Sequence, residues 1–230
     1  MNSKVISIFF LLLLIWSCSK NITPFNSEKK VAQIYLTNEI EFKSAKAIKG
    51  VGSAFLIKYK SKTYACTARH VVESRVNANR LNEELLSWKM YPKNKANNVV
   101  QIDSLVNANN LKDEWWLLAV AKADPNIKQL KPQFKKVTIG KAVYFVGCPY
   151  IEKDCVQQVY TGKVISVIKN KIGVSLDEPT NVSGFSGAPL LDKDGYLIGL
   201  ITQAKFGKGK KAHTVFAEST EYLKTVLVGL

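Results

Sequence analysis

From residue 31 onward, apolar residues come in short runs separated by Gly, Pro, Asn and Lys breaks. Residues 31–35, 53–59 and 63–67 are β-branched or aromatic runs. The last two are split by Lys60-Ser61-Lys62, which predicts a hairpin. Residues 99–106, 115–123, 142–147, 156–160, 163–168 and 172–176 continue the pattern. Residues 190–191 and 196–202 flank an Asp194-Gly195 turn, and residues 213–217 give a last strand. Helical spacing predicts two exceptions. Residues 71–88 carry Leu81, Leu85 and Trp88 at intervals of four and three, and residues 221–228 form a closing helix. Many short strands with no alternation of strand and helix predict an all-β barrel or sandwich.

The N-terminus follows different rules. After Lys4, residues 5–16 are apolar apart from Ser7. Twelve residues fall short of the ~20 needed to cross a bilayer as a helix, but they suit the apolar region of a signal peptide. The run ends in Leu14-Ile15-Trp16-Ser17-Cys18, which resembles a bacterial lipobox. That resemblance implies export and lipidation at Cys18; the other reading is a cleaved secretion signal. The expected organisation is a signal peptide over 1–17, a lipid-anchored or flexible tether over 18–30, and one domain over 31–230. Export places the cysteines in an oxidising compartment. Cys148 and Cys155, seven apart, could staple a small loop, leaving Cys66 as a buried small hydrophobe.

Composition is that of an ordinary globular chain, with 47% hydrophobic and 22% charged residues among 230, which excludes disorder and coiled coil. The net charge of +15 raises nucleic acid as a partner. The cations argue against it. Only Arg69, Arg75 and Arg80 are arginines, whereas phosphate and base readers favour the arginine fork. Nucleic acid is therefore not an expected partner, and an anionic surface or acidic substrates suit scattered lysines better.

The chemistry centres on two histidines and one serine. His70 and His213 are the only histidines, and Ser186 lies in Ser183-Gly184-Phe185-Ser186-Gly187-Ala188-Pro189-Leu190. Glycines beside a serine allow a tight turn that exposes the hydroxyl, and the N–H groups of Gly184 and Ser186 can converge on an oxyanion. His70, in Thr67-Ala68-Arg69-His70-Val71-Val72, lies 116 residues upstream of Ser186.

Together these segments resemble the bacterial trypsin-like serine peptidases of the chymotrypsin fold, especially HtrA-like protease domains. Gly52-Ser53-Ala54-Phe55 is similar to that family's opening strand, with Ala54 for its second Gly. The His70 segment is similar to its histidine motif. Residues 137–140 and 143–149 resemble its mid-chain strand, the Ser186 segment its serine motif, and residues 194–200 and 215–217 continue in order. The resemblance implies two six-stranded antiparallel β-barrels with the site between them. It implies peptide-bond hydrolysis through an acyl-enzyme on Ser186, with His70 as general base, polypeptides as substrates, and no metal or organic cofactor. HtrA-type proteins carry a peptide-binding domain after the protease domain. The sequence ends at Leu230, so their trimer-based regulation is not expected here, and the oligomeric state is open.

Three registers compete for the acid of the triad. One puts Glu114 there, one puts Asp113, and one puts Leu117, which could not serve and would leave a catalytically weakened or inactive fold acting as a peptide-binding module. Thr180 falls where trypsins place an Asp for basic substrates, so strict cleavage after Lys or Arg is not expected. Phe185 stands where animal trypsins pair an Asp with a newly cut N-terminus, so activation of that kind is not expected. A rival α/β-hydrolase reading would take His213 as base, but Ala188-Pro189 and the missing parallel sheet argue against it.

Overall fold

The computed structural model describes residues 32–73, 80–107, 114–207 and 211–229. The expected signal segment and tether, Cys18 among them, and Asp113 lie outside the described residues. Residues 31–230 form one compact unit.

The first barrel is built from β1 (Leu36–Phe42), β2 (Ile48–Tyr59), β3 (Lys62–Ala68), β4 (Leu85–Tyr91), β5 (Val100–Leu105) and β6 (Trp115–Lys122). Its strands run in the order β1-β4-β5-β6-β3-β2, and pairing of β1 with β2 closes the ring. A two-residue strand, β7 (Gln129–Leu130), adds in parallel to β2. The second barrel closes in the order β10-β13-β12-β11-β8-β9. Its members are β8 (Ala142–Gly147), β9 (Gln158–Ile168), β10 (Lys171–Thr180), β11 (Pro189–Asp192), β12 (Leu197–Phe206) and β13 (Ala212–Ser219). All pairings within both rings are antiparallel. The hairpin between β2 and β3 turns at Lys60-Ser61, with Lys60 at φ +51° and Tyr59 facing Lys62.

Two short helices, α1 (His70–Glu73) and α2 (Leu81–Glu84), leave the first barrel, and α3 (Thr220–Val228) closes the chain. The side chain of Ser219 accepts the Glu221 N–H at 3.3 Å and so caps the start of α3. Asn107 ties this helix to the first barrel. Its amide donates to Tyr222 Oη at 3.4 Å and to the Trp115 carbonyl at 2.8 Å, while its oxygen accepts from Leu117 N at 3.0 Å. Two of these bonds, to Trp115 and Leu117, also fix the start of β6.

Three expectations need correction. Among the described residues of 71–88, the expected helix is replaced by the single turns α1 and α2 and the strand β4. In β4 the buried Trp88 and Met90 alternate with partly exposed neighbours, which is strand periodicity. Trp88 faces Ile40 of β1, and pairing decides the conformation there, not local spacing. The strand expected at 31–35 begins later: Gln33 makes only an isolated bridge, and β1 starts at Leu36. Finally, the run at 163–168 and the last three residues of the run at 156–160 belong to one strand, β9, that passes through Gly162. A side chain at Gly162 would meet the Ser175 carbonyl at 2.3 Å.

Candidate active site

His70 is the first residue of α1, two residues past the end of β3. The Arg69 N–H donates to the Glu114 carbonyl at 2.8 Å, so the backbone brings the residue before β6 alongside the residue before α1. The side chains then meet, with His70 Nδ1 at 2.7 Å from Glu114 Oε2. Burial pushes the Glu114 carboxyl up, but the hydrogen bond and charge of His70, with Arg69 beyond, outweigh it and hold the group below its ordinary range. An ionised carboxylate can only accept, so Nδ1 carries the hydrogen and Nε2 is left as the acceptor of the ring.

The serine loop belongs to the second barrel. Two successive turns shape it: Phe185 N donates to the Val182 carbonyl at 3.1 Å, and Ala188 N to the Phe185 carbonyl at 2.8 Å. Gly184 and Gly187 have φ of +97° and +92°. Gly187 has a second reason to be glycine, because a Cβ there would lie 2.0 Å from the Ser53 carbonyl and 2.9 Å from Thr67 Oγ1. The close approach comes from two bonds that hang the loop on β2. Ser53 N donates to the Ser186 carbonyl at 2.7 Å, and Ser53 Oγ to the Gly184 carbonyl at 2.7 Å. Behind the loop, Gly187 N donates to the Ile201 carbonyl at 2.8 Å, which ties it to β12.

The turn that begins with His70 and the loop that carries Ser186 both pack against Gly52. A Cβ on Gly52 would be 2.6 Å from Val71 Cγ2, in the turn that begins with His70, and 3.1 Å from the Ser186 carbonyl. Among the described residues, neither the Gly184 nor the Ser186 N–H donates to a protein acceptor, so both are available to an oxygen at the loop.

Phe185 faces inward. It is 1% exposed and packs on Tyr160 and Phe145 with centroids 5.0 and 5.6 Å away, and its ring fills the space where Gly147 lacks a side chain. Thr180 ends β10 opposite Ala212 and lines a depression of about 250 Å³ with Tyr160, Leu176, Asp177 and Glu178. His213 lies on β13, exposed, with its ring against Gly207 at the tip of the β12–β13 hairpin. The two histidines therefore sit on different barrels, and only His70 is paired with a carboxylate among the described residues. Leu117 is fully buried in β6. Cys148 and Cys155 form a disulfide with their Cα atoms 5.9 Å apart, while Cys66 is free and buried.

Sequence reasoning missed two contributors to this geometry. Asn107 lies outside every quoted motif. Tyr150, just past the mid-chain strand, touches both Gly52 and Gly184, and nothing local in the sequence marks it.

Two closed antiparallel barrels, one carrying a carboxylate–imidazole pair and the other a glycine-flanked serine, define the trypsin-like architecture. The chain belongs to the trypsin-like peptidase domain family, whose model matches residues 52–200. Its fold is similar to that of the Rv3671c protease of M. tuberculosis. The active form of that protease superimposes with a TM-score of 0.59 at 16% identity, covering 86% of this chain and 80% of that one. The inactive form of Rv3671c from M. tuberculosis H37Rv, a serine-to-alanine mutant, superimposes with a TM-score of 0.56 at 15% identity, covering 84% and 85%. No curated protein matches the sequence.

Proposed function

We propose that this peptidase-family chain is a serine endopeptidase in which Ser186 is the nucleophile, His70 the general base and Glu114 the acid of the triad. The observation that carries the reading is the 2.7 Å bond between His70 Nδ1 and Glu114 Oε2, since it leaves Nε2 free to accept the serine proton. As Ser186 Oγ attacks the carbonyl carbon of the scissile bond, His70 takes its proton. The carbonyl oxygen becomes an oxyanion that accepts hydrogen bonds from the Gly184 and Ser186 N–H groups. Imidazolium, stabilised by Glu114, then protonates the leaving amine as the C–N bond breaks. Water repeats the sequence on the acyl-enzyme, and the acid product leaves.

A substrate track supports the same reading. β11 pairs with β12 only between Leu197 and Leu200. Beyond Ile201, β12 pairs with β13 on one side, and its other edge runs open past the serine loop among the described residues. An extended peptide would add there as a further strand.

Labelling of residues 19–230 by a fluorophosphonate probe tests the proposal. Labelling is expected in the wild type and absent in both Ser186→Ala and His70→Ala. A folded wild type that takes no label would overturn it and leave the peptide-binding module.

We also infer export with a lipid anchor at Cys18. What supports this is the lipobox-like segment 14–18 and a disulfide suited to an oxidising compartment. Metabolic labelling with palmitate should mark the wild type and not Cys18→Ala.

A further inference from the structure

The proposed triad is split between barrels, with His70 and Glu114 on the first and Ser186 on the second, so its geometry depends on how firmly the two are joined at this point. We propose that Tyr150, on the loop closed by Cys148 and Cys155, is a positioning residue that latches the serine loop to the first barrel. The inference rests on the peptidase reading above.

Three contacts converge on this one residue. Its Oη accepts the Gly52 N–H at 2.6 Å, reaching the strand of the first barrel against which Val71 and the Ser186 carbonyl both pack. Its own N–H donates to the Ser183 carbonyl at 3.0 Å. Its ring lies under Gly184, where a Cβ would approach Cδ1 to 2.8 Å, so the ring sets the height of the glycine whose N–H is assigned above to the oxyanion. The loop that presents Tyr150 is held at both ends. The disulfide closes it, and Lys93, just beyond β4 of the first barrel, donates to the Pro149 and Tyr150 carbonyls at 3.0 and 3.2 Å. Burial raises the Tyr150 phenol above its ordinary range despite the Gly52 bond, so the hydroxyl stays neutral as it accepts that N–H.

A latch predicts effects on the serine loop that loss of a surface side chain would not produce. Tyr150→Phe strands the buried Gly52 N–H and is expected to slow fluorophosphonate labelling about tenfold. Tyr150→Ala, which also frees Gly184, is expected to slow it about a hundredfold. In peptide hydrolysis the loss should fall on kcat with KM little changed. Ile151→Ala, at the 79% exposed tip of the same loop, should label at the wild-type rate. Replacing Cys148 and Cys155 together by Ser should slow labelling in the wild type but add nothing in Tyr150→Ala, because both act through one contact set. Amide exchange supplies a readout independent of chemistry: in Tyr150→Phe the Gly52 and Ser53 N–H groups should exchange faster. Wild-type labelling by Tyr150→Ala, additive loss with the cysteine pair, or unchanged exchange at Gly52 would each overturn the latch. If the wild type takes no label, the peptidase reading fails and the exchange comparison alone decides the latch.

Discussion

The two barrels hold their halves of the site by different physics. On the first, His70 and Glu114 are 41% and 32% exposed, and they are placed by the ends of β3 and β6 through a few directed hydrogen bonds. On the second, the loop bearing Ser186 is anchored by Phe185, a fully desolvated ring in an aromatic cluster with Phe145 and Tyr160. In the proposed mechanism the first pair exchanges protons and needs access to substrate, which polar contacts that add little to folding allow. The serine loop, proposed to present two N–H groups to an oxyanion, needs stiffness, and packing supplies it. The His70–Glu114 pair is therefore expected to lose activity before stability when altered, and the Phe185 anchor the reverse.

The sharpest break of that comparison is Glu114→Gln. It keeps the shape and loses the charge that holds the imidazole tautomer and its cation, so kcat should fall by about 10⁴ with the melting temperature close to wild type. Asp113→Asn should leave both unchanged. Equal losses in the two variants would remove Glu114 from the role assigned to it. Next in size, Phe185→Ala should cost about 3–5 kcal/mol of stability through the cavity it leaves, read by denaturant unfolding. Activity per folded molecule should fall less than in Glu114→Gln. Gly187→Ala should destabilise as well, since its Cβ has no room beside the Ser53 carbonyl and φ is +92°. A Gly187→Ala protein of wild-type stability would show that the loop can shift off β2.

Much of this was readable in the sequence, and the failures have a common cause. The second barrel is made of apolar runs punctuated by Gly and Pro, and nearly every predicted strand there lies within an observed one. The first barrel depends on contacts that no local window contains. β1 reads Leu-Thr-Asn-Glu-Ile-Glu-Phe, too polar to stand out, because its Asn38 is buried to fill a tertiary need. The Asn38 amide donates to the Val51 carbonyl at 2.9 Å and accepts the Trp88 indole N–H at 3.1 Å. That same Trp88, seven residues after Leu81, had completed a helical spacing. His70 and Ser186 stood out because glycines and a short motif surround them. The acid stayed open among three registers because what brings Glu114 to His70 is a backbone bond from Arg69 across two strand ends, invisible in sequence.

The smallest expected effect concerns pH. Glu114 has a lower pKa folded than unfolded, since His70 and Arg69 outweigh its burial. The folded state then holds fewer protons on this group than the unfolded state wherever the pH lies between the two values. Its contribution is thus fully present above the ordinary carboxylate range near 4.5 and is lost as the pH falls through the folded value. With Glu114 about one third exposed, the contribution should stay within about 1 kcal/mol. Thermal melts of wild type and Glu114→Gln at stepped pH should therefore show a small wild-type advantage near neutrality. That advantage should shrink below pH 4.5 and vanish once the folded-state carboxyl is protonated. An advantage that grew on acidification would mean that burial, not His70, dominates the Glu114 environment. The polar placement argued for the first barrel would then be wrong at its central pair.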